Sequence, residues 1–168
     1  MPVTFEDYTI KVKNAISDKC NAVLEECAGE LKSMIKRSQD RYNKTSNTSG
    51  GWQHKVDDKT HTAYIGNNEE NAIWEEFGTG EHAIPEGGGG RSGYWVFVKS
   101  EDSGEYQSKN KGKSYTLEEA KKVMRFLRSK GLEAYYTNGK KARRHGWNAY
   151  TKNKNKIIKH IKEALGEL

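Results

Sequence analysis

The apolar positions of this chain form helical stripes at its two ends and short alternating runs between them. Tyr8, Val12, Ile16, Cys20, Val23, Leu24, Cys27, Leu31, Met34 and Ile35 recur with a period of about 3.6 residues, which predicts one long, one-faced helix from about Phe5 to Arg37. Thr4 followed by Asp7 resembles a capping box that would start it. Such a helix either lies across a sheet of its own subunit or reaches a neighbouring one. A second helix is read from Tyr150, Ile157, Ile161, Leu165 and Leu168, widened by Ile158 and Ala164. Lys152, Lys154, Lys156, Lys159 and Lys162 decorate the rest of its surface.

Between the stripes the period changes. Asn43 to Gly51 is a cluster of Ser, Thr, Asn and Gly that reads as a loop without a core. Trp52, His54 and Val56 alternate, Asp57-Asp58-Lys59 supplies a turn, and the run from Thr60 to Ile65 alternates again, which predicts a β-hairpin. Ile73, Trp74 and Phe77 then stand at helical spacing and would turn one apolar face to the core, with Asn67 or Asn68 as the cap. Gly78 is placed as a left-handed stop, and Gly80 permits a second turn. Pro85 and the run Gly87 to Gly90 predict a mobile loop. Tyr94 to Val98 reads as a strand. After a polar stretch to Ser114, Thr116 with Glu119 forms a capping box for a helix that ends at Gly131. Leu132 to Thr137 predicts a further strand closed by the Asn138-Gly139 turn. If it ran parallel to the first, the crossover would be right-handed.

These elements predict an α+β fold. A long N-terminal helix and a basic C-terminal helix pack on a small, mainly antiparallel sheet with an inserted strand-helix-strand unit. The expected organisation is a single domain over 1–168, with mobile loops near 43–51, 85–93 and 100–114.

Composition narrows the picture. Only 33% of residues are hydrophobic and the mean hydropathy is -1.01, so the core is expected to be small for the length and some surface to be buried only in an assembly. Charge is segregated. No Lys or Arg occurs between Lys59 and Arg91, where Glu69, Glu70, Glu75, Glu76, Glu81 and Glu86 all fall, whereas nine Lys or Arg and two acids follow Gly139. Cys20 and Cys27 are seven apart on the first helix, or roughly 10 Å, beyond the ~7 Å reach of a disulfide. They are expected to be buried free thiols, which fits a reducing compartment. The opening Met-Pro-Val-Thr-Phe-Glu-Asp has the pattern of neither a secretory leader nor a membrane segment.

Candidate chemistry is sparse. His54 and His61 would face each other across the hairpin and, with Glu81 or His82, make a metal site, but a surface or hydrogen-bonded role is the plainer reading of each histidine. Glu75 and Glu76 are adjacent on a helix and point apart, which does not suit a paired acid and base. No nucleophile motif accompanies either cysteine, so no catalytic residue, metal or cofactor is expected. Lys140, Lys141, Arg143 and Arg144 ahead of Trp147 and Tyr150 form a basic patch with aromatics, which raises nucleic-acid binding as an alternative.

The string Tyr64-Ile65-Gly66-Asn67, followed by Ala72-Ile73-Trp74-Glu75-Glu76-Phe77-Gly78-Thr79-Gly80, resembles the signature of the tailed-phage neck and tail-completion family. The leading helix, the Gly-rich loop and the Thr137-Asn138-Gly139 turn ahead of a basic last helix extend the likeness over most of the chain. Where family members carry an apolar Pro-Phe-Leu-Arg-Pro-Ala-like lead-in to that helix, this chain has Arg143-Arg144-His145-Gly146-Trp147-Asn148-Ala149. The resemblance implies a non-enzymatic virion subunit that joins head to tail or completes the tail. It would be made in the host cytoplasm, form a ring with copies of itself, most simply six-fold, and contact other neck or tail proteins and passing DNA. It marks Tyr64, Gly66, Trp74, Glu76, Phe77, Gly78, Thr79 and Gly80 as signature and core residues. With the segregated charge it suggests a subunit boundary where Glu75 and Glu81 meet Lys140, Lys141, Arg143 and Arg144.

Overall fold

The computed structural model describes residues 7–42, 47–87, 90–99, 110 and 112–166. The expected cap at Thr4, and parts of the three expected mobile loops, lie outside the described residues. Among the described residues, five helices and two small antiparallel sheets of two strands each make an α+β fold. The chain divides into two compact units, residues 1–72 with 145–168, and residues 73–144.

The first unit is built around α1 (Thr9–Asp40). Its start is fixed by the Asp7 carboxylate, which accepts the Thr9 N–H at 2.8 Å and is held below the usual carboxylate range by its hydrogen bonds to Thr9. On one side of α1 lies the hairpin of β1 (Trp52–Asp57) and β2 (Thr62–Asn67), paired from Trp52↔Asn67 to Asp57↔Thr62. Its tight turn puts His61 at φ 49 and offers Asp57 Oδ1 to the Lys59 and Thr60 N–H groups at 2.9 and 3.3 Å. On another side runs α5 (His145–Gly166), antiparallel to α1: Ser38 Oγ meets His145 Nδ1 at 2.9 Å, Lys156 meets Glu30 at 2.5 Å, and His160 meets Glu26 at 3.3 Å.

Burial along α1 follows from what covers it. Val23, Cys27, Ala28, Ile35 and Gln39 are buried, whereas every residue from Thr9 to Ile16 is exposed. The apolar stripe is continuous in sequence, but its outer two turns are bare. Both cysteines are free, and burial, helped by Glu26 and Glu30, pushes the Cys27 thiol up. One expectation fails between α1 and β1: Asn47–Gly50 forms a single helical turn, α2, in which Thr48 and Ser49 are buried. A loop-like composition is compatible with burial here because Asn67 Nδ2 donates to the Thr48 carbonyl at 2.6 Å, pinning the turn to the end of β2.

The second unit has a small apolar core of Val96, Val98, Ala120, Leu127 and Ala134. These come from β3 (Trp95–Val98), α4 (Leu117–Ser129) and β4 (Ala134–Thr137). The capping box opens α4, with the Thr116 N–H donating to Glu119 Oε2 at 2.9 Å and the Glu119 N–H to Thr116 Oγ1 at 3.4 Å. Gly131, at φ 82, closes it: its N–H reaches the Arg128 carbonyl and that of Leu132 the Leu127 carbonyl, a Schellman stop. The strands pair antiparallel, Trp95↔Thr137 to Val98↔Ala134, so the right-handed crossover of a parallel pair does not arise.

Candidate functional site

The two ends of the signature are brought together by backbone. Helix α3 (Glu70–Phe77) ends at Gly78, which has φ 73, and Gly80 turns the chain again at φ 61. The Thr79 N–H donates to the Lys140 carbonyl at 2.9 Å, the Lys140 N–H to Thr79 Oγ1 at 3.0 Å, and the Glu81 N–H to the Asn138 carbonyl at 2.9 Å. Gly78-Thr79-Gly80 thus clasps the turn Asn138-Gly139-Lys140. Side chains would not fit between them: a Cβ on Gly80 would lie 2.2 Å from the Asn138 oxygen, and one on Gly139 would lie 2.0 Å from the Thr79 oxygen. Glu81 completes the clasp. Its carboxylate accepts from Asn138 Nδ2 and from the Gly93 N–H, each at 2.9 Å, and these contacts hold its pKa below the usual value.

Beneath the clasp sits a buried carboxylate. Glu75 is 3% exposed, pairs with Lys140 Nζ, and accepts from Arg143 Nη1 at 2.9 Å. Its backbone carbonyl also takes the N–H groups of Arg143 and Arg144 at 2.8 and 3.4 Å, with Arg144 held at φ 52. A left-handed conformation is uncommon for a residue other than Gly and persists only where its surroundings over-determine it.

This corrects two expectations. The face of α3 that is buried carries Ala72 and Glu75, not Ile73 and Trp74, which are exposed. The reason is electrostatic: Lys140 and Arg143 neutralise Glu75, so a charged residue takes the inner position. The meeting expected between subunits is also made inside one chain. Glu75, Lys140 and Arg143 satisfy one another, and Glu81 is held by Asn138 and Gly93. Lys141 is exposed and Arg144 half-buried.

The remaining signature residues are dispersed. Tyr64 is exposed on β2 opposite Lys55, and Gly66 stands opposite Gln53 with open space around it. Phe77 is half-buried under Gly87, in the short 3-10 turn Pro85–Gly87. Glu76 and Thr79 are half-buried. Asn138 and Gly139 are the residues the sequence undervalued. Read as a hairpin closure, they are the receptor for the clasp.

The two hairpin histidines do not face each other. His54 pairs across the hairpin with Ile65 and bonds Glu25 at 2.7 Å, while His61 Nδ1 bonds Asn21 at 2.7 Å. Among the described residues no three of His, Cys, Asp and Glu come together to hold a metal ion, and no helix is long and apolar enough to cross a membrane.

A second feature lies in the first unit. Arg37 and Arg41 on and beside the end of α1 and Lys152 on α5 border a cleft of about 380 Å³ with Ser38, Asn148 and Asn153. No carboxylate lines it among the described residues.

No protein-family model matches the chain, and neither a curated protein nor a solved structure matches it.

Proposed function

We propose that the chain is a non-enzymatic structural subunit of a tailed-phage neck, acting in head-tail joining or tail completion as a member of a ring. One observation carries the reading. The two separated parts of the resemblance, Gly78-Thr79-Gly80 and Thr137-Asn138-Gly139, lie in close contact and are tied by hydrogen bonds of Thr79 to Lys140 and of Glu81 to Asn138, so the motif has a structural reason to occur as a pair. The small apolar cores and the bare stripe on α1 also suit a subunit whose surface is completed by assembly.

Negative-stain electron microscopy of the purified protein, together with the order of neighbouring genes, tests the proposal. Closed rings are expected, and a gene placed between those for capsid and portal and those for the tail tube. A monomer encoded away from any virion gene overturns it.

The cleft at Arg37, Arg41 and Lys152 favours a second reading, contact with DNA backbone, because three cations around one cavity repel each other until an anion enters. Fluorescence anisotropy with duplex DNA across a salt series tests this. Binding through the cleft predicts that replacing all three by Ala lowers the salt slope by about 0.9 for each phosphate that the variant no longer neutralises. An unchanged slope overturns it.

A further inference from the structure

We propose that the outer end of α1 in one copy docks on the exposed face of α3 in a second copy, so that subunits join head to tail. The inference rests on the ring reading above and names the surfaces that would form it.

The first surface follows from the covering of α1. Helix α5 runs antiparallel beside it, with Lys156 opposite Glu30 and His160 opposite Glu26. One further helical turn, four residues, brings α5 near its described end at Gly166 while α1 still has its first turns to run. Tyr8, Val12 and Ile16, which share one face of the helix at four-residue spacing, are therefore left exposed, at 52%, 55% and 44%. Lys11 and Lys13 flank that face on either side, against one acid, Asp7, whose carboxylate accepts the Thr9 N–H.

The second surface is the outer side of α3. Burying Ala72 and Glu75 forces Ile73 and Trp74 outward, at 54% and 43% exposure. Glu70 precedes them by three and four positions and so shares their face, with Glu69 just before it. No Lys or Arg occurs from Glu69 to Glu76.

Each surface pairs large apolar side chains with a net charge, two lysines against one carboxylate on the first and carboxylates alone on the second, so the net signs are opposite. A symmetric contact of α1 with α1 would bring Lys11 and Lys13 against their own copies, and one of α3 with α3 would do the same with Glu69 and Glu70. Only the heterologous pairing is complementary in both apolar surface and charge. A heterologous contact is also the kind that generates a ring when its rotation closes.

Two variants and their mixture test this by mass photometry. Val12→Glu with Ile16→Glu removes the first surface, and Ile73→Lys with Trp74→Lys removes the second. Each alone is expected to be monomeric, with association weakened roughly a hundredfold or more by a charge placed in an apolar contact. Mixed in equal amounts, they should form a heterodimer and nothing larger, because each retains the surface the other lacks. That mixture also shows that both variants are folded. Rings of the unaltered protein that persist in either variant overturn the proposed surfaces while leaving the ring reading standing. An unaltered protein that stays monomeric overturns both. A second variant that still dimerises while the first cannot points to symmetric α1 pairing and overturns the head-to-tail contact.

Discussion

The basic C-terminal segment meets acids in both units of the molecule, and the two meetings differ in kind. In the second unit, Lys140 and Arg143 close on Glu75, whose side chain is 4% exposed. In the first, Lys156 and His160 meet Glu30 and Glu26 on the open flank between α1 and α5, where all four side chains are at least 44% exposed. The residue types are similar along the sequence, but their energetic weight is set by water. A buried carboxylate cannot be re-solvated when its partners leave, whereas an exposed one can. The basic segment is therefore two things: a fastener under the clasp, and a solvated face on a helix.

Removing the fastener's cations puts this contrast to its hardest test. Replacing Lys140 and Arg143 together by Met strands the Glu75 carboxylate, and unfolding in urea should show a loss of about 3 to 5 kcal/mol. Adding Glu75→Gln to that pair should recover most of the loss, since the stranded charge is then gone. If the double variant is as stable as the parent, Glu75 is not held by these cations in solution and the contrast fails.

The clasp above the fastener is the next test. Gly80→Ala places a Cβ at φ 61 against the Asn138 oxygen and the Trp95 ring. Backbone strain and overpacking should together cost about 2 to 4 kcal/mol. Gly66→Ala, in β2 with nothing within contact distance, should cost far less, at most about 1 kcal/mol. Both are signature glycines, so equal effects in thermal unfolding would show that the clasp has no special role.

Legibility in the sequence followed the range of the deciding interaction. The Thr116 and Glu119 box, the stop at Gly131, the hairpin and the positive φ of Gly78 and Gly80 are all decided within a few residues, and their side-chain types announce them. The buried face of α3 is decided 68 residues away, by Arg143. A helix as short as Glu70–Phe77 offers two plausible inner faces, and hydrophobicity alone chose Ile73 and Trp74. Periodicity likewise showed a single stripe from Tyr8 to Ile35 but not where α5 would stop covering it. For the hairpin histidines the plainer reading holds, since His54 bonds Glu25 and His61 bonds Asn21, and only their facing each other fails, because His61 lies in the turn rather than opposite His54. The clasp was half visible: both halves stand out in the sequence, and only the fold shows that they bond each other.

On the solvated face, the expected effects are smaller. Lys156→Met should cost about 0 to 1 kcal/mol, and the difference should vanish in molar salt. A double-mutant cycle with Glu30→Gln measures the pair directly. A coupling as large as that of Glu75 with Arg143 would erase the distinction between the two meetings.

The smallest effect separates charge from geometry within the carboxylates themselves. Glu30 and Glu81 are both held below their ordinary value of 4.5, Glu30 first by its hydrogen bond to Lys156 and Glu81 first by Asn138 and then by the Gly93 N–H. A carboxyl whose folded-state pKa is depressed contributes stability above its unfolded value, and that contribution is lost as pH falls through the folded value. Both contributions should therefore be complete at neutral pH and disappear on acidification below about 4.5. Salt tells the two apart. The donor to Glu30 is a cation, so raising ionic strength should move its titration back toward 4.5, while Glu81, held first by neutral amide donors with His82 as a lesser charge contribution, should move much less. Carboxyl carbon shifts followed by NMR through an acid titration, at low and high salt, read both residues in one sample. Asn138→Ala should raise the Glu81 value and leave that of Glu30 unmoved. If Glu81 responds to salt as Glu30 does, its depression comes from the surrounding charge and not from the clasp, and the hydrogen bonds joining Glu81 to Asn138 and Gly93 do not persist in solution.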